Sequence, residues 1–238
     1  MNKMKRILNF ALILCAVAAA SSCTFVRINK NAFDGFNSEH VSPSKDIATN
    51  TYGVPQFTAI ESTIGADIDY VMTEGEPSIT VEAPENYIDH LNFKVEDGVL
   101  KVRFDDNKNY SFGRVNVKAS SATLEKLSIL GAGDFDCDGL ESSGMDVNVS
   151  GAGDVTFNNL KCTGDVSVTV RGAGDIDILG LSCQDISVEI MGAGDARLSG
   201  SAASAHLSIK GAGDIDASRL DCEDVSTSVA GMGSIRRK

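Results

Sequence analysis

The stretch DVSVTVRGAGDIDI, residues 165–178, contains the features that decide the fold: apolar and polar residues alternate on both sides of a Gly-Ala-Gly-Asp unit. Alternation with a period of two is typical of a β-strand with one buried face. The unit occurs five times and a Gly-Met-Gly-Ser variant follows, at intervals of 20, 21, 20, 19 and 20 residues. The six units begin at Gly131, Gly151, Gly172, Gly192, Gly211 and Gly231. This fixed period predicts an all-β solenoid, a parallel β-helix with about 20 residues per coil.

Aligning the periods predicts which side chains form the core. Four residues after each first glycine the column is apolar: Phe135, Val155, Ile176, Ala196, Ile215 and Ile235. Two residues before each first glycine it is again apolar: Ile129, Val149, Val170, Ile190, Ile209 and Val229. An outward column is polar: Ser128, Asn148, Thr169, Glu189, Ser208 and Ser228. This polar face suits contact with a polar partner, and it equally suits plain solubility.

The corner unit itself has two interpretations. Glycine adopts positive φ without strain, and Asp can hydrogen-bond the backbone of its own turn, so the unit is explained as a capped corner. In-register coils place the carboxylates about 4.8 Å apart, where they repel unless they are hydrogen-bonded, screened or bridged by cations. Calcium is therefore the one cofactor to consider. The candidate cation-binding residues are Asp134, Asp154, Asp175, Asp195 and Asp214.

The N-terminus predicts export and lipidation. A basic segment precedes an apolar run, Ile7–Val17, then small residues and Cys23. We interpret residues 1–22 as a lipoprotein signal peptide, too short to be a permanent span, with Cys23 as the lipidated residue. An ordinary secretory signal cut nearby is the alternative. Residues 23–56 are mostly polar without an apolar period, which predicts a flexible, lipidated tether.

The net charge of the chain limits the classes of partner that it can bind. The chain has 33 acidic and 21 basic residues, a formal charge of −12, and only three histidines. An acidic surface argues against nucleic acid as a partner, so the membrane contact is expected through the lipid anchor. We expect an outer-membrane lipoprotein of the cell envelope, with the periplasmic and the surface side both open.

Four cysteines remain after cleavage and lipidation: Cys137, Cys162, Cys183 and Cys222. Eleven residues after each first glycine the column contains Ser142, Cys162, Cys183, Ala203 and Cys222. The interleaved small residues favour stacked free thiols. A disulfide between Cys162 and Cys183 on adjacent coils is the alternative in an oxidising compartment.

Three further stretches carry a family resemblance: IGADIDY (64–70), SITVEAPEN (78–86) and VEDGVLKV (95–102). With the repeated corner, they make residues 57–238 resemble the "putative auto-transporter adhesin, head GIN domain" family of bacterial envelope lipoproteins. The resemblance implies a single-domain, right-handed β-helix, and it carries over neither a ligand nor a catalytic residue. We expect residues 57–118 to form irregular early coils or a cap, and 119–238 the regular coils.

Three functions are compatible with this sequence. The first is a non-enzymatic, adhesin-like binding domain whose partner is an unknown protein or a glycan. The second is a periplasmic scaffold or sensor-associated lipoprotein. A polysaccharide-active enzyme using Asp175 and Asp177 is disfavoured, because such chemistry needs two carboxylates in different environments and these acids recur as near-equivalent columns. No catalytic residue is therefore assigned.

Overall fold

Alternating strands joined by glycine corners wind the chain into a β-solenoid of about six turns, with equivalent residues about 20 positions apart. The computed structural model describes residues 39–106, 108–111 and 113–238. Strands make up 64% of it and helix 2%, which confirms the predicted all-β solenoid of parallel coils. The predicted signal peptide, 1–22, and Cys23 lie outside the described residues. Within the described ranges, no helix is long and apolar enough to cross a membrane.

The elements divide into those before and those within the regular coils. Before them lie β1 (His40–Val41), β2 (Ile47–Gly53), β3 (Ala59–Ser62), β4 (Ala66–Met72), β5 (Ser78–Pro84), α1 (Glu85–Ile88), β6 (Leu91–Glu96), β7 (Val99–Phe104), β8 (Asn109–Tyr110) and β9 (Val115–Ser121). The regular coils contain β10 (Lys126–Ile129), β11 (Phe135–Cys137), β12 (Leu140–Ser142), β13 (Met145–Gly151), β14 (Val155–Asn158), β15 (Leu160–Cys162), β16 (Val166–Gly172), β17 (Ile176–Gly192), β18 (Ala196–Ile209), β19 (Ile215–Asp221), β20 (Asp224–Val229) and β21 (Ile235–Arg237).

The coils at the N-terminal end do not follow chain order. Strands β3 and β4 form one coil, and β10 and β11 pair in parallel with one edge of it. Strands β7 and β9 pair in parallel with its other edge, although they come later in the chain than β4. Beyond them the pairing becomes antiparallel, with β6 on β7 and with β5 and then β2 on β9. We call β2, β5, β6, β7 and β9 the cap.

Part of the predicted tether is folded into the cap. Strand β2 pairs with β5 along its whole length, from Ile47 opposite Pro84 to Gly53 opposite Ser78. Strand β1 pairs with β8. The prediction of a flexible tether, 23–56, is therefore wrong for residues 40–41 and 47–53, because these residues form strands that pair with the rest of the domain. The polar composition was misleading because β2 is an edge strand and is mostly exposed.

The predicted inward columns form the core. All their members up to Ile215 are buried, whereas Val229, which is 46% exposed, and Ile235 lie on the last coil. No further described coil covers that end. There Arg237 lies opposite Ala217, at a position that is buried and apolar in the preceding coils. An inward-pointing charge on a terminal strand discourages pairing with another edge.

The cysteine column differs by one residue from the prediction. Cys183 lies opposite Ala202, not Ala203, because the register shifts between Ile178 and Leu181 as β17 pairs with β18. The four described cysteines are free thiols, in agreement with the first of the two interpretations. Burial raises the pKa of Cys162 to about 11 and that of Cys183 to about 12.

Candidate ligand-binding face

The corner glycines let successive coils approach closely. A Cβ placed on Gly174 would lie 2.2 Å from the carbonyl oxygen of Gly153, and one on Gly153 would lie 2.1 Å from that of Gly133. These second glycines do not have positive φ, so the expectation of positive φ is wrong for them, and the close approach is what excludes a side chain. At the first position φ is positive, as predicted, at Gly151, Gly172 and Gly231, with values of 154°, 146° and 153°, but it is not positive at Gly131, Gly192 or Gly211.

The corner aspartates form a ladder of hydrogen bonds from coil to coil. In each coil one Oδ1 accepts the backbone N–H at the same corner of the next coil, at 2.7–3.3 Å. The accepting residues are Asp67, Asp134, Asp154, Asp175, Asp195 and Asp214. The predicted bond within one turn is therefore wrong, because the close stacking brings the next coil's donor nearer. These N–H dipoles offset part of the repulsion between the stacked carboxylates.

Asp67 belongs to this ladder although it was not among the candidates. Its corner, residues 64–67, lies beside the first regular corner, and its Oδ1 accepts the N–H of Asp134 at 3.3 Å. The degenerate Gly-Ala-Asp sequence was the available signal. At the other end, Ser234 donates both its N–H and its hydroxyl to Asp214, and these bonds lower the pKa of that carboxyl group.

A second outward column runs beside the ladder, two residues later in each coil. Its members in stacking order are Lys118, Asp69, Asp136, Thr156, Asp177, Arg197, Asp216 and Arg236. Arg197 binds both oxygens of Asp177 at 3.0 Å, and Arg236 binds Asp216 at 3.4 Å. We call these two columns together the carboxylate face.

The carboxylate face is most acidic near the cap. Asp136 has Asp69 on one neighbouring strand and Thr156 on the other, with no base beside it in the column. Burial, and secondarily the charge of Asp69, raise the pKa of Asp136. The face is therefore ion-paired in its C-terminal half, whereas in its N-terminal half Asp69, Asp136 and the one base, Lys118, form no ion pair with another described residue.

A cavity of about 500 Å³ opens where the carboxylate face meets the cap. Its lining side chains come from four neighbouring strands, β2, β5, β9 and β4. They are Thr49, Thr80, Glu82, Asn116, Lys118, Asp67 and Asp69. We call this space the cap cavity. Its residues lie partly in the stretches that carry the family resemblance, but the pairing of β5 with β9 that unites them has no sequence signal.

The aspartates predicted as candidates for cation binding or catalysis make contacts that hold the coils together. Asp175 accepts the N–H of Asp195 at 2.8 Å, and Asp177 is held by Arg197. Among the described residues, no group of three or more His, Cys, Asp or Glu side chains is arranged to hold a metal ion. The five candidate aspartates thus share one column and one role in coil stacking, in which each accepts a backbone N–H from the next coil.

A second cavity, of about 370 Å³, lies beside the first corner and has an aromatic wall. Phe104 and Tyr110 stack at 3.6 Å between ring centroids, and Tyr87 meets both edge-on. The Tyr110 hydroxyl donates to Asp106 at 2.9 Å, and burial raises the pKa of Tyr110. Sequence reasoning missed this cluster, because its members are spread over α1, β7 and β8 with no periodic spacing.

The stacked coils define a parallel β-solenoid with a repetitive polar surface. The chain belongs to the family described as "Putative auto-transporter adhesin, head GIN domain", which matches residues 56–237. This adhesin-like family suggests a protein of the cell envelope or surface. No curated protein matches the chain.

Solved structures share the fold. A "putative adhesin" from Bacteroides fragilis NCTC 9343 has 23% sequence identity and a TM-score of 0.69, over 83% of this chain and 100% of its own. A "putative lipid binding protein" from Parabacteroides distasonis ATCC 8503 has 20% identity and a TM-score of 0.71, over 84% of this chain and 100% of its own. A "putative adhesin" from Parabacteroides merdae ATCC 43184 has 19% identity and a TM-score of 0.51, over 84% and 100%. At these identities the likeness establishes the fold alone.

Proposed function

We propose that this protein is a non-enzymatic outer-membrane lipoprotein, anchored through Cys23, that binds a polar partner with its carboxylate face. The membership of an adhesin-like family supports a role at the cell envelope. The lipoprotein pattern of residues 1–23 supports the anchor. The uneven charge of the face is the observation that carries the binding role.

This charge distribution destabilises the fold unless a bound partner neutralises it. Between Asp69 and Asp136 like charges stand on neighbouring strands, where cross-strand repulsion destabilises the fold. Farther along the same column, bases alternate with acids and remove the repulsion. A partner bearing donors or positive charge would relieve the unpaired end, so binding is expected there rather than over the ion-paired coils.

A role as a periplasmic scaffold or sensor-associated lipoprotein is the second candidate. The segment after Cys23, residues 24–27, has no acidic residue, whereas some surface-displayed lipoproteins carry an acidic cluster there. The same carboxylate face would then contact another envelope protein.

Protease treatment of intact cells separates the two candidates. The readout is cleavage within residues 24–38, the part of the predicted tether that precedes the unit beginning at Glu39. Release of the domain from intact cells supports a surface-displayed binding protein, and release only after lysis supports the periplasmic role. Cys23→Ser is the matched control: it is expected to abolish labelling by a tagged fatty acid and to free the domain without protease. Labelling that persists in Cys23→Ser would overturn the anchor.

A further inference from the structure

We propose that the cap cavity binds an amino-sugar unit of a glycan, which names a ligand class for the carboxylate face and to that extent rests on the function proposed above. In this cavity, side chains from the cap strands β2, β5 and β9 and from the coil strand β4 line a common space. Its volume, about 500 Å³, lies within the usual range of small-molecule sites.

Opposite charges in the cavity are present but not joined. Asp69 and Lys118 are register partners on β4 and β9, about 4.8 Å apart in the sheet. Within the described chain, neither of these side chains forms an ion pair or a hydrogen bond. Elsewhere on the face the equivalent neighbours Asp177 and Arg197 do pair. The carboxylate and the ammonium group are therefore both available to a third molecule.

The other lining groups are held in place by the sheet. Asn116 donates from Nδ2 to Glu82 at 3.3 Å, and the Thr80 hydroxyl lies 3.0 Å from that of Thr51. Asp67 already accepts one N–H at Oδ1 through the corner ladder. The side chains thus start from positions fixed by neighbouring strands, which reduces the ordering that a ligand must impose.

The chemistry of the lining selects the ligand class. Three carboxylates, one ammonium group, two hydroxyl groups and one amide surround the space, and no aromatic ring lines it. A sugar hydroxyl both donates and accepts, so it matches alternating acceptors and donors of this kind. The excess of carboxylates, three against one base, favours a sugar that also carries an ammonium group. Charge-assisted hydrogen bonds to that group are stronger than neutral ones.

The test compares two oligosaccharides that differ only at nitrogen. Calorimetry with the full-length protein in detergent measures binding of glucosamine tetrasaccharide and of its N-acetylated form. We expect the amine form to bind at least about tenfold more tightly, because acetylation removes the charged donor. Equal affinity for both forms, or no binding of either, would overturn the proposal.

Two variants distinguish the cavity from general attraction to an acidic protein. Asp69→Asn keeps the shape of the cavity and removes one carboxylate charge, and we expect it to weaken binding of the amine form about tenfold. Asp224→Asn makes the same change of charge on the last coil and should leave affinity unchanged. Equal weakening by both variants would indicate diffuse electrostatics and overturn the proposal. Neither change affects lipidation, so a failure here is distinguishable from a failure of the envelope assignment.

Discussion

Replacing single glycines with alanine separates the two reasons for which this fold uses glycine. At Gly174 an added Cβ meets the carbonyl oxygen of Gly153 at 2.2 Å, while φ is not positive. At Gly98, in the turn between β6 and β7, φ is 77° and nothing lies within 4 Å. Gly139 has neither constraint and is the matched control.

The expected cost at Gly174 follows from the bonds around it. An ordinary carbon–oxygen contact is about 3.3 Å, so the two coils must separate locally by about 1 Å. Two hydrogen bonds flank the site, from the Ala173 N–H to Gly151 at 2.9 Å and from the Asp175 N–H to Asp154 at 2.8 Å. Weakening them costs about 1–2 kcal/mol, and the overpacking itself costs about 1–3 kcal/mol. We therefore expect Gly174→Ala to lower the free energy of unfolding by roughly 2–5 kcal/mol.

The other two variants provide reference values for the loss of stability. Gly98→Ala introduces only backbone strain and should cost about 1–2 kcal/mol. Gly139→Ala should be neutral or stabilise by up to about 1 kcal/mol, since it restricts the unfolded chain. Urea unfolding followed by far-ultraviolet circular dichroism suits a chain without tryptophan. With a slope of about 1–3 kcal/mol per molar, the midpoint for Gly174→Ala should fall by about 0.7 M or more. A midpoint equal to that of Gly139→Ala would refute the close-approach argument.

Three further predictions concern side chains. Asp175→Ala should lower the free energy of unfolding by about 1 kcal/mol, because the N–H of Asp195 loses its acceptor. Asp175→Asn keeps an acceptor oxygen and should leave the stability unchanged. Equal thermal unfolding temperatures for the two variants would contradict the hydrogen-bond ladder. The raised pKa of Asp136 means that its carboxyl group binds a proton more tightly in the folded state than in the unfolded state, so the protonated group stabilises the fold below the unfolded pKa and this stabilisation is lost as pH rises through the folded pKa. Asp136→Asn should therefore be more stable than the wild-type protein at neutral pH, and the gain should disappear on acidification. A gain that does not depend on pH would disprove this. Cys162 and Cys183, whose pKa values are raised by burial, should react with iodoacetamide at pH 8 only after unfolding, and rapid alkylation of the native protein would show that the column is open.

The sequence predicts the repetitive part of this fold well because one rule is applied at every coil. Alternation places Ile176 and Val170 inside, and the neighbouring coil repeats the pattern, so local and long-range signals agree. One departure within the coils, Ala202 in place of Ala203 opposite Cys183, arises from a register shift. The 19-residue interval indicates that a residue is missing there, but it does not show where the shift occurs.

The strands of the cap and their pairing could not be predicted in the same way. Strand β2 has no buried side and pairs with a strand about 30 residues away, so its composition resembles that of a linker. The cap cavity depends on β5 joining β9 in antiparallel register, a pairing that no spacing in the sequence encodes. Asp69 and Lys118 consequently become neighbours although 49 positions separate them in the chain.

The inverted order of the N-terminal coils has a kinetic consequence. A regular coil closes on its neighbour across 19 to 21 residues, whereas Asp67 reaches Asp134 across 67. Loop-closure entropy makes the longer closure about 1 kcal/mol less favourable. We expect folding to nucleate among the regular coils and spread outward, with β3 and β4 inserted between strands made later in synthesis. The regular coils would then form before the cap, and the cap would be the first part lost under mild denaturation.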